Sequence, residues 1–244
     1  FTQDIISDFK IFLNSKMNFR SVALINLHNE LSFKQIMPKN FLKIINLHET
    51  RMIMKKNLNE KNLISSYTKN WRHNYKRSLK KEFHVKINND PNISELISLY
   101  KQMEKLKNYK IFISYNFLET LFNNLKNFIV HYEARIEGRL IAFRTCIIKD
   151  KVAWDLLACS NIESKKNYCT YYIMHQIFND CINKNVDVFD FSGVDPKNNI
   201  GVYNFKKGAG SILYKKIGEY SYSKNLILSI LIVIFFFIKR IFIK

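Results

Sequence analysis

Several residue types that specify common protein classes are scarce in this 244-residue chain. Glycine occurs six times, and never before Gly138, so the first half contains no glycine-rich phosphate loop. Proline occurs three times, with no Pro-rich or Ser-rich linker and no internal repeat. The four cysteines, Cys146, Cys159, Cys169 and Cys181, form no CxxC pair, which excludes the common zinc and dithiol motifs and suits a reducing compartment. Acidic residues number 20 against 39 basic ones, a net charge of +19. With 47% hydrophobic residues the chain has the material for a packed core, so disorder and collagen-like structure are excluded.

The charge is localised. Residues 51–86 hold eleven basic and two acidic residues, and residues 197–244 hold nine and one, whereas 87–196 is balanced at thirteen of each. Ile, Lys and Asn are abundant throughout, which weakens any argument from the lysine count alone. Five of the glycines (Gly193, Gly201, Gly208, Gly210 and Gly218) cluster where the second basic segment begins.

Periodicity predicts a helix over 3–17, a strand over 21–27, a loop around Pro38 and a short strand at 51–55. From 57 to 81 a single helix is expected: Ile64, Tyr67, Trp71, Tyr75 and Leu79 form an apolar stripe, and Lys69, Arg72, His73, Lys76, Arg77 and Lys80 a basic face. Helices follow at 92–107 and 114–126, then three strands at 128–136, 139–148 and 151–158 joined by turns at Glu137-Gly138 and Lys149-Asp150. A helix over 168–184, a strand over 186–191 and a glycine-bearing loop complete an α/β layout with a mixed sheet.

Residues 226–238 carry only Ser229 as a polar side chain and are followed by Lys239 and Arg240. Thirteen helical residues reach about 20 Å, short of the ~30 Å hydrocarbon core of a bilayer. Being apolar all round, the segment does not read as an amphipathic surface helix. Membrane embedding, partial or with the basic side chains snorkelling, is the preferred expectation, and a buried or partner-binding helix the alternative.

The densest chemical signal is the run from Asp190 to Gly210 (DFSGVDPKNNIGVYNFKKGAG). It matches neither GxxxxGK[ST] nor GxGxxG, which leaves nucleotide hydrolysis and hydride transfer without support. The run resembles the C-terminal signature of the Fem family of peptidoglycan interpeptide-bridge aminoacyltransferases, a strand ending in D-x-x-G-V followed by G-[VL]-Y-x-F-K-[KR]-G-[FA]-G. The matching residues are Asp190, Gly193, Val194, Gly201, Val202, Tyr203, Phe205, Lys206, Lys207, Gly208, Ala209 and Gly210. Residues 65–85, with Lys69, Arg72, Arg77, Lys80 and Lys81, resemble the family's basic helix, with Leu79 where a small residue is usual.

The resemblance covers about residues 1–222. It implies GNAT-like acyltransferase lobes: the end of a first lobe at 1–56, a second lobe at 57–222, and a hydrophobic membrane-associating tail at 223–244. About a hundred residues of a usual member would precede Phe1, and the family's coiled-coil arm has no counterpart. The implied reaction moves an amino acid from aminoacyl-tRNA to a stem-peptide amine of lipid II or a UDP-linked peptidoglycan precursor. By the same resemblance Lys206 stabilises the oxyanion and Phe205 stacks on the terminal adenosine. Tyr203 and Asp195 orient substrate, and Lys69, Arg72, Lys76 and Lys80 face tRNA or pyrophosphate oxygens. No cofactor or metal is implied, and the expected setting is a monomer at the cytoplasmic face of the membrane.

Read without the resemblance, Lys206 is a solvated charge, Phe205 a core residue, the basic face a solvated one, and Asp190 and Asp195 turn residues. Cys169 and His175 lie six apart on one helix, off a common face, which argues against a Cys–His nucleophile. Two further functional readings stand beside the transferase. One is an acyl-CoA-dependent GNAT N-acyltransferase acting on a sugar, amino acid or surface-polysaccharide precursor. Its usual pyrophosphate loop would fall at 160–172, which contains no glycine. The other is a non-catalytic module that binds anions or membrane.

Overall fold

The computed structural model describes residues 3–30, 41–44, 51–56, 59–107 and 113–242. In chain order the elements are α1 (Gln3–Lys16), β1 (Ala23–Glu30), β2 (Phe41–Ile44), β3 (Arg51–Lys56), α2 (Glu60–Ser66), α3 (Lys69–Ser78), β4 (His84–Ile87), α4 (Ile93–Lys107) and α5 (Tyr115–Leu125). They continue with β5 (Ile129–Ile136), β6 (Arg139–Lys149), β7 (Val152–Ser160), α6 (Ile162–Lys166), α7 (Cys169–Asn183), β8 (Val188–Val194), α8 (Ile200–Gly208), β9 (Ile212–Tyr222) and α9 (Leu226–Phe242). The loop expected around Pro38 lies outside the described residues. Two compact units result, and they do not follow a simple cut in sequence. One gathers 1–52, 193–195 and 214–244; the other is 53–192 with 196–213.

The second unit is built on the expected meander. Strands β4, β5, β6 and β7 pair antiparallel in sequence order, and β8 adds parallel to β7. The β5–β6 turn places Glu137 at φ 49° and Gly138 at φ 79°, the left-handed pair whose twist matches the flanking strands. Strand β5 is buried on both faces, because helices cover both. On one side Leu96, Leu99, Tyr100 and Met103 of α4 recur at helical spacing and pack with Leu118 and Phe122 of α5 against Ile129, Leu140, Phe143 and Cys159. Asn92 starts α4 by accepting from the backbone N–H groups of Ser94 and Glu95, and Ser114 starts α5 by accepting from that of Phe117. On the other side α7 contributes Ile173, Met174, Ile177 and Phe178, all buried, and Tyr132 of β5 donates to Asp180 at 2.6 Å.

The expected single helix over 57–81 is two. Tyr67 ends α2 in extended conformation (ψ 143°), and the Thr68 N–H bonds the Gly208 carbonyl at 2.9 Å instead of continuing the ladder. The break swings Tyr67, Trp71 and Tyr75 onto α7, where the Tyr67 hydroxyl lies 2.9 Å from His175 Nδ1. The outer members of the predicted stripe, Ile64 and Leu79, are exposed. The strand expected over 186–191 runs on to Val194, and the expected glycine-bearing loop contains the helix α8. A single interior glycine in its first turn, Gly201, does not prevent that helix.

In the first unit, β1 and β2 both pair antiparallel with β9. Leu13 of α1 packs with Phe41, Tyr220 and Tyr222, and Tyr222 also donates to Asn14. Alternation along β9 directs Ser221 to the opposite face, where its hydroxyl donates to the Ser229 carbonyl of α9.

Two buried histidines make stability depend on pH. Burial pulls both His131 and His175 from the usual 6.5 down to about 4; for His131 the nearby Glu133 partly offsets this and Arg135 adds to it. The unfolded chain takes up these protons below about 6.5 and the native state only near 4, so stability is present above that window and is lost on acidification. At pH 5 each histidine withdraws about 2 kcal/mol. The urea midpoint should fall steadily from pH 7 to pH 5; a flat profile would contradict the buried neutral pair.

Candidate active site

Strands β7 and β8 pair in parallel from Val152–Val188 to Trp154–Asp190. Beyond that point lies a cavity of about 680 Å³, lined by residues of β7 from Asp155 to Ser160, by Phe191 and Ser192, and by the first turns of α7 and α8. Its size suits a small-molecule portion of a substrate. Ser192, at φ 61°, bends β8 here. Its N–H bonds Asp190 Oδ1 at 2.7 Å, and its hydroxyl bonds the Asp155 carbonyl at 3.1 Å. Asp190 thus holds the bend of the strand.

The floor carries Lys206, Arg144 and Asp155. Lys206 projects from α8, is only 8% exposed, and donates to the Phe191 carbonyl. Burial pulls its pKa down to about 8; Asp155 and Asp190 resist that fall and Arg144 reinforces it. Arg144 of β6 is gripped by both carboxylate oxygens of Asp155, each at 2.8 Å. Burial opposes its charge, but Asp155 outweighs burial and its pKa is raised. The Arg144 guanidinium lies 5.3 Å from the Phe205 ring centre, and that ring also packs beside Trp71 and Tyr171.

Of the site residues expected from sequence, Lys206 and Phe205 line this cavity, together with Gly201 and Val202 of the same motif, and Tyr203, Asp195, Lys69, Arg72, Lys76 and Lys80 do not. Tyr203 is half-buried with Lys207 Nζ over its ring, and Asp195 belongs to the first unit. Lys69, Lys76 and Lys80 are exposed and Arg72 half-buried along α3. Arg77 comes nearer: it donates to the Tyr168 hydroxyl at 2.8 Å, and Tyr168 lines the cavity with Lys107 and Lys165. The sequence reading missed Arg144 and Asp155. Each is a charge in the middle of an apolar strand; with the β6–β7 turn at Asp150-Lys151, Asp155 stands opposite Cys146 and Arg144 opposite Ala158, so the two charges meet diagonally across the strands.

Burial pushes the thiols of Cys159 and Cys181 up to about 12 and that of Cys169 up to about 11, with Cys146 raised as well. None supplies a thiolate at neutral pH. The site instead offers fixed positive charge beside an aromatic wall, suited to stabilising an oxyanion that develops when an amine attacks a carbonyl.

A cavity opened where two parallel strands part, with a buried lysine on its floor, gives this mixed-sheet lobe the architecture of an acyltransferase. Residues 114–231, just under half of the chain, match the model of the FemAB family. The chain's fold is similar to that of FemX, with a TM-score of 0.74 over 94% of this chain and 78% of FemX at 12% identity. A conserved protein of unknown function from Bacteroides thetaiotaomicron VPI-5482 aligns with a TM-score of 0.62 over 90% of this chain and 75% of its own, at 14% identity. The structure of L-PGS from Bacillus licheniformis aligns at 0.51 over 79% and 65%, also at 14% identity. No curated protein matches the sequence.

Removing Asp155 leaves Arg144 buried without its counter-charge. Asp155→Ala should cost about 3 kcal/mol or more in urea unfolding, whereas the double replacement Arg144→Met with Asp155→Leu should recover most of that loss. Equal losses in the two variants would mean that the pair contributes by shape rather than by charge.

Proposed function

We propose that this chain transfers an amino acid from aminoacyl-tRNA to a stem-peptide amine of lipid II or of a UDP-linked peptidoglycan precursor. The observation that carries the reading is the placement of Phe205 and Lys206, the F-K pair of the family motif, side by side on the cavity lining. The acceptor amine attacks the ester carbonyl, the C–N bond forms, and the carbonyl oxygen becomes an oxyanion. Collapse breaks the C–O bond to ribose; the amine loses a proton and the departing ribose oxygen gains one. No covalent enzyme intermediate is required, so the protein's task is positioning and charge stabilisation.

Lys206 provides the charge for the oxyanion, and Arg144 adds to the positive potential of the floor. Phe205 offers a ring face at the wall for the terminal adenosine. Tyr203 has the lesser role of orienting substrate. The exposed row Lys69, Lys76 and Lys80, with Arg72, supplies phosphate contacts, which makes donor binding fall steeply with salt. The protein acts as a monomer at the cytoplasmic face of the membrane, held through residues 226–243. The acyl-CoA reading is less well supported, because 160–172 contains no glycine and so lacks the usual pyrophosphate loop.

The test is a transfer assay with aminoacyl-tRNA and a lipid II analogue, read by the mass of the stem peptide. Lys206→Ala should lower kcat by about 10²-fold or more with KM little changed. Because the protonated amine is the active form, the Lys206-dependent step should decline as pH rises through about 8, and Lys206→Arg should move that decline upward. Full activity of Lys206→Ala would remove Lys206 from the mechanism. Acylation from acyl-CoA, with none from aminoacyl-tRNA, would replace the donor.

A further inference from the structure

Helix α9 is apolar on every side in sequence, yet burial divides it into two halves. Ser229 is fully buried, and Asn225, Leu228, Ile232, Val233 and Phe236 are half-buried. At 100° per residue these six fall on one side, the side that packs on β2 and receives the Ser221 hydrogen bond. The opposite side carries Leu226, Ile227, Ile230, Leu231, Ile234, Phe235, Phe237 and Ile238, each between 43% and 68% exposed. That is on the order of 700 Å² of contiguous apolar surface, at or beyond the largest patch a soluble monomer usually leaves to water.

Charge indicates what covers it. Lys224, in the bend just ahead of α9, and Lys239, in its last turn, are both exposed and so flank the apolar half at its two ends. No acidic residue follows Glu219. A second copy of the helix laid antiparallel on this face would bring each Lys224 toward the other's Lys239, whereas anionic headgroups would satisfy both. Among the described residues no helix is long and apolar enough to cross a membrane, and half of α9 is already committed to its own unit.

We propose that this half of α9 docks on an anionic lipid bilayer, with the helix lying in the plane of the interface, its apolar half embedded and its two lysines at headgroup level. The expectation from sequence, that a helix apolar all round is not a surface helix, is replaced: two-sidedness here comes from packing rather than from residue polarity. The inference gives a geometry to the membrane attachment proposed above and is independent of the transfer chemistry.

The experiment is flotation of the full chain with vesicles of phosphatidylcholine alone or with phosphatidylglycerol. Wild type should float with the anionic vesicles, and Leu231→Gln with Phe235→Gln should lose at least tenfold in affinity while keeping the wild-type thermal midpoint. Lys224→Gln with Lys239→Gln should abolish the preference for anionic lipid. Nitroxide labels at 227, 231, 234 and 238 should report one common depth, roughly 5–10 Å below the headgroups. A depth that changes steadily along the helix would mean insertion across the bilayer and overturn the proposal. So would concentration-dependent dimerisation without vesicle binding, which would assign the face to a second copy. Aminoacyl transfer to a soluble acceptor by the Leu231/Phe235 variant separates the two readings, since it survives if only the docking is wrong or lost.

Discussion

A buried guanidinium is tolerable only with a carboxylate beside it, and the active-site floor depends on that constraint. Asp155 satisfies Arg144 with two hydrogen bonds and lends longer-range stabilisation to Lys206. Its backbone carbonyl meanwhile holds Ser192 at the bend of β8. One residue thus links the charge of the site to the strand geometry that opens it. The irregularity in β6–β7 pairing at Thr145–Cys146 falls beside these residues; Arg144 shares the face of Cys146, which stands opposite Asp155, so alternation alone puts the two charges on one side of the sheet.

The wall of the site is held by aromatic packing among three helices. Trp71 of α3 lies between Tyr67 and Tyr75 along its own stripe and meets Tyr171 of α7 and Phe205 of α8. Gly208 ends α8 where a Cβ would stand 3.0 Å from Trp71 Cδ1 and 3.1 Å from Thr68 Oγ1, so the glycine is required by close approach. Gly193 and Gly201, from the same motif, would meet nothing within 4 Å and have no such packing reason. The Trp71 indole N–H is buried and meets no acceptor among the described residues.

Much of the second unit was legible in advance, since the information is local. The first turn of the meander announces itself by Glu-Gly between apolar runs and α4, α5 and α7 by their spacing, while the second turn falls one residue later than expected, at Asp150-Lys151. The motif likewise brought Lys206 and Phe205 into view. The division of 57–81 into α2 and α3 was not legible, because the bond that ends α2 comes from Gly208, some 140 residues away in sequence. Nor was α8, whose glycines read as loop when taken one at a time.

The amino-acid sequence by itself determined the mixed α/β class, the order of the central elements, the segregation of charge into two segments and the F-K pair. Those properties follow from composition, period and short-range spacing. Only tertiary structure decided which cations share a cavity, bringing Arg144 to Lys206 while leaving Lys69, Lys76 and Lys80 in solvent. It also decided which half of α9 faces outward. Both depend on which surfaces the packed sheet covers, and burial is a property of the assembled neighbours rather than of the residue.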